Sequence, residues 1–507
     1  MIVKKPTALV ILDGFCWHAE KKFNAIAQAD TPNINYWLAH YPHCVLQASG
    51  NAVGLPDGFI GNSEVGHETI GAGRILPQPL SIIQNAIQNK SLSSHAILLE
   101  QLAQLKKTGK TLHILGLLSD AGIHSHDQLL YALIEIAATQ GIKKIVIHPF
   151  IDGRDVSPQS AQHYLATLEQ FLKKMNVGTI GSIHGRFYPM DRDHNWLRTE
   201  ESYKVLTQPL SDSAQSWQSI LTQNYDQNIS DEFIAPAQLD PQAIIQPGDG
   251  IIFMNFRPDR ARQLTRAFTD TAFDMFPVKK LDLAFFITPV SYGKHIKTIP
   301  LFEQPIIHNT LKEVLARHDK AIFSIAETEK YAHVTYFFAG GQEKIFPHEI
   351  RILIPSIVTD TYAKYPEMSA AQITQSVLRS LKKSPKDFYL INYANADMVG
   401  HSGDFSATVK AIEFLDKQLH ELYEKIVVGM QGTLYITADH GKAEEMYDSK
   451  NKTVRKSHTT NSVPFIMMRS DIKDSGFQLP LKELSDVAPF ILEQMHIEVP
   501  EEMRKEK

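Results

Sequence analysis

A chain of 507 residues with 43% hydrophobic content, two cysteines and a formal net charge of −5 can bury a large core and, at about 150 residues per domain, predicts two or three domains. Charges of both signs are scattered along it, which excludes a nucleic-acid surface built on counterion release. Cys16 and Cys44 have neither Cys-x-x-Cys nor zinc-ribbon spacing and are read as buried structural thiols in a reducing cytoplasm. No uninterrupted apolar run approaches the ~18 residues that cross a bilayer, and the short apolar stretch after Lys4 and Lys5 lacks the length and cleavage site of a signal peptide. The expectation is a soluble cytoplasmic protein with no membrane or nucleic-acid partner.

Apolar strand-like runs alternate with amphipathic helix-like segments, the pattern of α/β layers. The run 7–12 ends at Asp13. Residues 61–74 place Ser63 at a glycine-flanked turn that opens a helix, where it is either an N-cap or a nucleophile. The runs 112–118 and 144–150 lead to the segments 120–124 and 152–155, and His126 reads as a helix-start residue. The polar stretch 208–231 reads as a surface excursion. The run 251–256 leads to Arg257 and Arg260, which flank Pro258-Asp259. Runs 283–287, 321–326 and 388–393 follow, the last ahead of Asp397 and His401; run 434–437 precedes Asp439-His440, and 463–468 closes the series after His458. Acids and histidines thus recur just beyond strand ends, where ligands bind in open α/β sheets.

A serine hydroxyl needs a base, a metal or converging dipoles to become nucleophilic. Asp13, Asp397, Asp439, His401, His440 and His458, with Ser63, offer enough carboxylates and imidazoles for two divalent ions about 4 Å apart. Each alone reads more simply as a turn, a cap or a hydrogen-bonded core residue; jointly they point to metal. Asp397 and His401 share one face if their segment is helical, while Gly400 leaves a turn open. Neighbouring side chains diverge in a regular strand, so Asp439 and His440 both reach a metal only if the backbone bends, and Gly441 is expected to permit that bend. Donors without thiolates suit manganese, magnesium or zinc. The ligand-like residues fall in two blocks, before about 77 and after about 304, which predicts an insertion with crossings near Pro77, Pro79, Pro300 and Pro305. Arg154, Arg186, Arg192, Arg198, Arg257, Arg260 and Arg262 cluster in the middle third and suit a small polyanion.

Gly61-Asn-Ser-Glu-Val-Gly-His67, Asp152-Gly-Arg-Asp155, Asn255-Phe-Arg-Pro-Asp-Arg260, Ala326-Glu-Thr-Glu-Lys-Tyr331, Asn395-Ala-Asp-Met-Val-Gly-His401 and Thr437-Ala-Asp-His-Gly441 resemble the signatures of the cofactor-independent phosphoglycerate mutases of the alkaline phosphatase superfamily, over almost the full length. The resemblance implies an α/β fold: an alkaline-phosphatase-like three-layer domain (1–77 and 304–507) with a second α/β domain (78–303) inserted into it. It implies an isomerase of glycolysis and gluconeogenesis that interconverts 3-phosphoglycerate and 2-phosphoglycerate through a phosphoserine on Ser63, independently of 2,3-bisphosphoglycerate. By the same resemblance, Asp397, His401 and His458 hold one Mn2+ and Asp13, Ser63, Asp439 and His440 the other. Lys330 neutralises the transferring phosphoryl group, and His124, Arg154, Asp155, Arg186, Arg192, Arg257, Arg260 and Lys330 bind substrate. A monomer whose inserted domain closes by hinge motion near 77 and 304 is implied as well.

Arginine forks bind phosphate and carboxylate in bidentate fashion; the plainer reading pairs Arg257 or Arg260 with Asp259 and other nearby acids. Arg198, Arg262 and Arg266 are left as surface ion pairs. Asp155 is an acid or base toward a glycerate hydroxyl, or else an ion pair with Arg154, and His124 hydrogen-bonds substrate. Because Asp and His must be deprotonated to hold metal, activity is expected to fall on acidification. The rival readings are a metal-dependent phosphomonoesterase or other superfamily mutase, against which the arginine-rich insert speaks, and a non-catalytic phosphometabolite-binding scaffold, against which the complete residue set speaks.

Overall fold

The strands follow the apolar runs closely. A computed structural model of the protein describes residues 5–210, 215–303, 306–449, 452–474 and 476–505; Lys4, residue 304 and Pro305, which the sequence reading used, lie outside them. The strands among the described residues are β1 (Thr7–Leu12), β2 (His43–Leu46), β3 (Leu112–Leu118), β4 (Ile145–Ile151), β5 (Thr179–Ile180), β6 (Ser182–Gly185), β7 (Ala237–Gln238), β8 (Gly250–Phe253), β9 (Phe285–Thr288), β10 (Ile299–Pro300), β11 (Ile322–Glu327), β12 (Glu349–Ile354), β13 (Phe388–Tyr393), β14 (Thr433–Thr437), β15 (Tyr447–Asp448), β16 (Thr453–Val454) and β17 (Val463–Met468). Two compact units result: Met1–Gln78 with Ile306–Lys507, and Pro79–Pro305.

The first unit holds a sheet in the order β12-β11-β13-β1-β14-β17-β2. β12, β11, β13, β1 and β14 run parallel, in register Thr7↔Phe388 and Thr7↔Thr433 for the central three, and β17 and β2 are antiparallel. β1, β11, β13 and β17 are buried along their whole length, so both sheet faces are covered, as continuous apolar strands of parallel sheets require. The second unit holds a sheet in the order β10-β9-β8-β3-β4-β6-β7, with β5 beside β4. Its β8, β3, β4 and β6 are parallel neighbours, over a core of Leu115, Leu117, Phe150, Ile251 and Phe253. The protein is therefore α/β throughout.

Three readings need correction, and one strand lay outside the apolar runs. The run 251–256 leaves the sheet after Phe253, and Phe256 N–H instead donates to the His124 carbonyl at 2.8 Å. The polar stretch 208–231 contains a helix, Trp217–Asp226, that buries Trp217, Ile220 and Leu221; their i, i+3, i+4 spacing is a helical signal diluted by Gln, Ser and Asn. The edge strand β12 was not singled out, because it exposes Ile350 and Leu353 and so lacks a clean alternation. Cys16 is buried but Cys44 only half-buried, and both are free thiols.

Three histidines, His113, His148 and His184, lie inside the second unit. Burial, reinforced by His113 and His184, holds His148 well below the usual imidazole range, and burial pushes His184 down to about 3. Both enter the fold neutral, whereas the unfolded chain takes up their protons below pH ~6.5. Their contribution to stability is therefore intact above pH ~6.5 and lost as pH falls toward the folded values, at about 1.4 kcal/mol per pH unit for each. Urea unfolding between pH 7.5 and 5 is expected to show this loss; a pH-independent midpoint would contradict it.

Candidate active site

Ser63 does not cap its helix. Asn62 is the N-cap of Ser63–Ala72, its Oδ1 accepting from Val65 N–H at 3.1 Å. With Asn62 in that role, the Ser63 hydroxyl is directed elsewhere. It lies 3.0 Å from Asp13 Oδ1, 3.0 Å from His440 Nε2 and 2.8 Å from Lys330 Nζ. Four adjacent parallel strands deliver its neighbours from their carboxyl ends: Lys330 follows β11, Asp397 follows β13, Asp13 follows β1, and Asp439 and His440 follow β14.

Asp397 sits on the helix Asn395–Gly400, which ends at His401 as its C-cap, so the helical alternative for this spacing is the one realised. Asp397 Oδ1 lies 3.0 Å from His401 Nε2 and 3.2 Å from His458 Nε2. The other half of the cluster joins Asp13, Asp439 and His440, with His440 Nε2 3.4 Å from Asp13 Oδ1 and 3.5 Å from Asp439 Oδ2. Ligand atoms of Asp13, Asp439 and His440, and of Asp397, His440 and His458, lie within 4.8 Å of one another. Gly441, expected to permit a bend, has no positive φ. It is small because a Cβ there would land on Thr459 Oγ1 and lie 2.7 Å from Glu444 Oε1.

Asp397 Oδ1 and Asp439 Oδ2 are buried with no hydrogen-bond donor among the described residues, a costly state for a carboxylate oxygen. His458 Nδ1 donates to the Gly61 carbonyl at 2.9 Å, so in the neutral ring the Nε2 lone pair faces Asp397, acceptor against acceptor. A cation between them resolves that opposition, and the Gly61 carbonyl sets the tautomer a ligand needs. The donor set therefore fits divalent cations.

Burial opposes ionisation of Asp397, yet the charge of Lys330, and after it His401, holds it well below the usual carboxylate range. Asp13 is held down likewise, chiefly by Lys330 and His440 against its burial. Lys330, 2.6 Å from both Asp13 Oδ1 and Asp397 Oδ2, is pushed up from its ordinary value: burial disfavours its charge, and the carboxylates outweigh burial.

Sequence reasoning missed His67 and Asn392. His67 Nδ1 donates to the Ser63 carbonyl at 2.8 Å, and Asn392 Nδ2 reaches both His67 Nε2 at 3.0 Å and Asp13 Oδ2 at 2.9 Å. A polar residue inside the apolar run 388–393 was the available signal. Gly66 completes the packing, since a Cβ there would approach Asp439 O to 2.5 Å. Gly66→Ala is expected to shift Ser63 against the carboxylates and to lower activity by about 10²-fold with the fold retained, as steady-state kinetics beside circular dichroism would show.

A second cluster occupies the carboxyl ends of β8, β3, β4 and β6 in the other unit. Asp152 Oδ1 accepts from Arg154 N–H at 3.1 Å, Asp155 N–H at 2.9 Å and Arg186 Nη1 at 2.7 Å, while its Oδ2 accepts from Ser119 Oγ at 2.7 Å. Arg186 Nη1 also lies 2.5 Å from Asp155 Oδ2. Asp155 thus pairs with Arg186, not with Arg154 as the plainer reading had it; Arg154 reaches Glu232 at 3.1 Å. Asp259 lies 3.2 Å from Arg192 and 3.4 Å from Arg257, and Arg260 donates to the Met190 carbonyl. His124 stands 4.0 Å from Asp155 and 3.7 Å from Asp259. Burial first, then Arg186, Arg257, Arg260 and Arg192, holds it well below the usual imidazole range, so it is neutral. Arg198 pairs with Asp191 over the Phe187 ring, Arg266 pairs with Asp270 and Arg262 bonds the Tyr292 carbonyl. His126 is the N-cap of Asp127–Thr139. Asp152, one of the acids expected beyond the strand ends, ties the loop together.

The family model described as BPG-independent PGAM N-terminus matches residues 83–294. The chain is 43% identical over 510 residues to the 2,3-bisphosphoglycerate-independent phosphoglycerate mutase of Clostridium novyi, covering 99% of each chain. It is 44% identical over 507 residues to that of Moorella thermoacetica, covering 99% of this chain and 98% of the other. Among solved structures, a phosphoglycerate mutase of Leishmania mexicana, described at low cobalt concentration, matches with a TM-score of 0.80 and 31% identity over 99% of this chain and 97% of that one.

Proposed function

The chain belongs to the 2,3-bisphosphoglycerate-independent phosphoglycerate mutases and is an isomerase, and we propose that it interconverts 3-phosphoglycerate and 2-phosphoglycerate through a phosphoserine on Ser63. The observation that carries this reading is the Ser63 hydroxyl held within 3.0 Å of Asp13, His440 and Lys330. Asp397, His401 and His458 would hold one cation and Asp13, Ser63, Asp439 and His440 the other; the mixed carboxylate and imidazole donors, and the cobalt named for the Leishmania mexicana relative, support first-row divalent ions, with Mn2+ our choice. Such ions, when bound, supply Lewis acidity that favours the serine alkoxide and offsets phosphoryl charge.

Ser63 Oγ attacks phosphorus in line as the alkoxide, the bond from phosphorus to the glycerate oxygen breaks, and the same alkoxide is released when the phosphoryl group returns to the glycerate. The Lys330 ammonium offsets charge on the phosphoryl oxygens. Asp155 carries the proton between the two glycerate hydroxyls: starting in its protonated form it protonates the departing oxygen, and it recovers a proton from the other hydroxyl as that oxygen takes the phosphoryl group back. Arg154, Arg186, Arg192, Arg257 and Arg260 bind the substrate's anionic groups, and neutral His124 hydrogen-bonds the glycerate.

Residues 1–77 and 304–507 are assigned the phosphoryl chemistry, and 78–303 the retention of glycerate. Glycolysis and gluconeogenesis in the cytoplasm, as a monomer, complete the reading; no helix among the described residues is long and apolar enough to cross a membrane.

Phosphorus NMR of the Mn2+-loaded protein with 3-phosphoglycerate and no bisphosphoglycerate tests the reading. A growing 2-phosphoglycerate signal is expected. Release of inorganic phosphate alone would make the protein a phosphatase.

A further inference from the structure

Six buried polar side chains of the second unit are hydrogen-bonded in a single file that the anion cluster does not use. Asp249 Oδ2 lies 3.2 Å from His113 Nε2; His113 Nδ1 lies 3.0 Å from His148 Nε2; His148 Nδ1 lies 2.7 Å from Ser182 Oγ. Ser182 Oγ lies 2.7 Å from His184 Nε2, and His184 Nδ1 lies 3.2 Å from Ser202 Oγ. No member is more than 3% exposed.

The file crosses the sheet. Asp249 immediately precedes β8, His113 is on β3, His148 on β4, Ser182 and His184 on β6, and Ser202 on the helix Trp196–Thr207. These are the four strands whose carboxyl ends lead to Arg257 and Arg260, to His124, to Asp152 and Asp155, and to Arg186.

The proton order follows from the carboxylate at one end. Asp249 accepts from Thr111 N–H and Gln246 N–H as well as facing His113, and, although burial opposes it, the His113 and backbone hydrogen bonds hold its carboxyl below the usual range. A carboxylate only accepts, so His113 gives it the Nε2 proton, and in a ring that carries that one proton Nδ1 accepts from His148 Nε2–H. His148 Nδ1 then accepts from the Ser182 hydroxyl, Ser182 accepts from His184 Nε2–H, and His184 Nδ1 accepts from Ser202. Every bond has one donor and one acceptor. Reversing the file requires an additional proton on His113. The titratable groups facing one another along it are those of Asp249, His113, His148 and His184, and burial keeps His148 and His184 neutral.

We propose that Asp249, His113, His148, Ser182, His184 and Ser202 form a one-directional hydrogen-bonded belt that fixes all three imidazoles as Nε2–H tautomers and positions the strand ends carrying the anion cluster. Fully paired buried networks of this kind rigidify and specify a core. Its members are positioning residues, and their effect on turnover rests on the reading that this cluster binds phosphoglycerate.

The test is 15N NMR of the full-length enzyme with labelled histidine, together with kinetics. In the unaltered enzyme His113, His148 and His184 are expected to show protected Nε2–H signals; a protonated Nδ1 on any of them at pH 7.5 would overturn the belt. Ser182→Ala cuts the file in two. His113 and His148, still anchored by Asp249, should keep the Nε2–H tautomer, while His184 loses its protected proton and the KM for 3-phosphoglycerate rises about tenfold. An unchanged His184 signal, or an unchanged KM, would contradict the proposal. Arg192→Ala separates the two possible failures. If it too leaves KM unchanged, the substrate reading of the cluster has failed; if it raises KM where Ser182→Ala does not, the belt is not a positioning element.

Discussion

Ser63→Ala should lower mutase turnover by about 10⁴-fold or more, the loss expected when a nucleophile acting within a concerted unit is removed. Ser63 is 7% exposed and its hydroxyl makes no cap, so its removal leaves the Asn62 cap and the helix Ser63–Ala72 intact. The thermal midpoint is accordingly expected to change little, and a variant that loses activity by unfolding would contradict this account. Because Asp13, Asp439 and His440 remain, the variant should still bind divalent cations, more weakly than the parent; calorimetric titration checks this. Retention of more than a few per cent of turnover would exclude Ser63 as the group that receives the phosphoryl group.

Lys330→Met is expected to have the second-largest effect, with two separable components. In the cation-free protein the Lys330 ammonium bridges the buried carboxylates of Asp13 and Asp397 at 2.6 Å each. Removing it leaves them facing each other without compensation, at a cost of about 3–5 kcal/mol. Denaturant unfolding in the presence of a chelator should show that loss, and added Mn2+ should recover much of it if cations bind between the same carboxylates. Turnover should not recover with stability, because the ammonium that offsets phosphoryl charge is still missing; a residual loss of about 10²–10³-fold is expected with metal in excess. Full recovery of turnover by Mn2+ would reduce Lys330 to a structural role.

Much of the architecture was legible because both sheets are largely parallel and buried, so their strands appear as uninterrupted apolar runs: 112–118, 388–393 and 463–468 coincide with observed strands residue for residue. The cluster around Ser63 was legible for a related reason. Ligand-bearing side chains at the carboxyl ends of such strands fall just after the apolar run, where an Asp or His stands out. What the sequence concealed were choices between neighbours and contacts between distant positions. Asn62 and Ser63 are both good caps, and only the backbone at Asn62 decides which is used. Asp155 was assigned Arg154 as its plainer partner because that residue is adjacent, whereas the loop turns it toward Arg186. Asn392, His67 and the belt from Asp249 to Ser202 each look like an isolated polar residue in an apolar context. Their partners lie up to 379 residues away, and no local periodicity encodes such a pairing.

The most direct test of the central claim is to quench the Mn2+-loaded enzyme in acid during turnover of 3-phosphoglycerate and to map phosphorylated peptides by mass spectrometry. A phosphoryl group on Ser63, formed and consumed at rates compatible with turnover, is the predicted result. Sustained turnover with Ser63 unmodified, or with the phosphoryl group on another side chain, would contradict it.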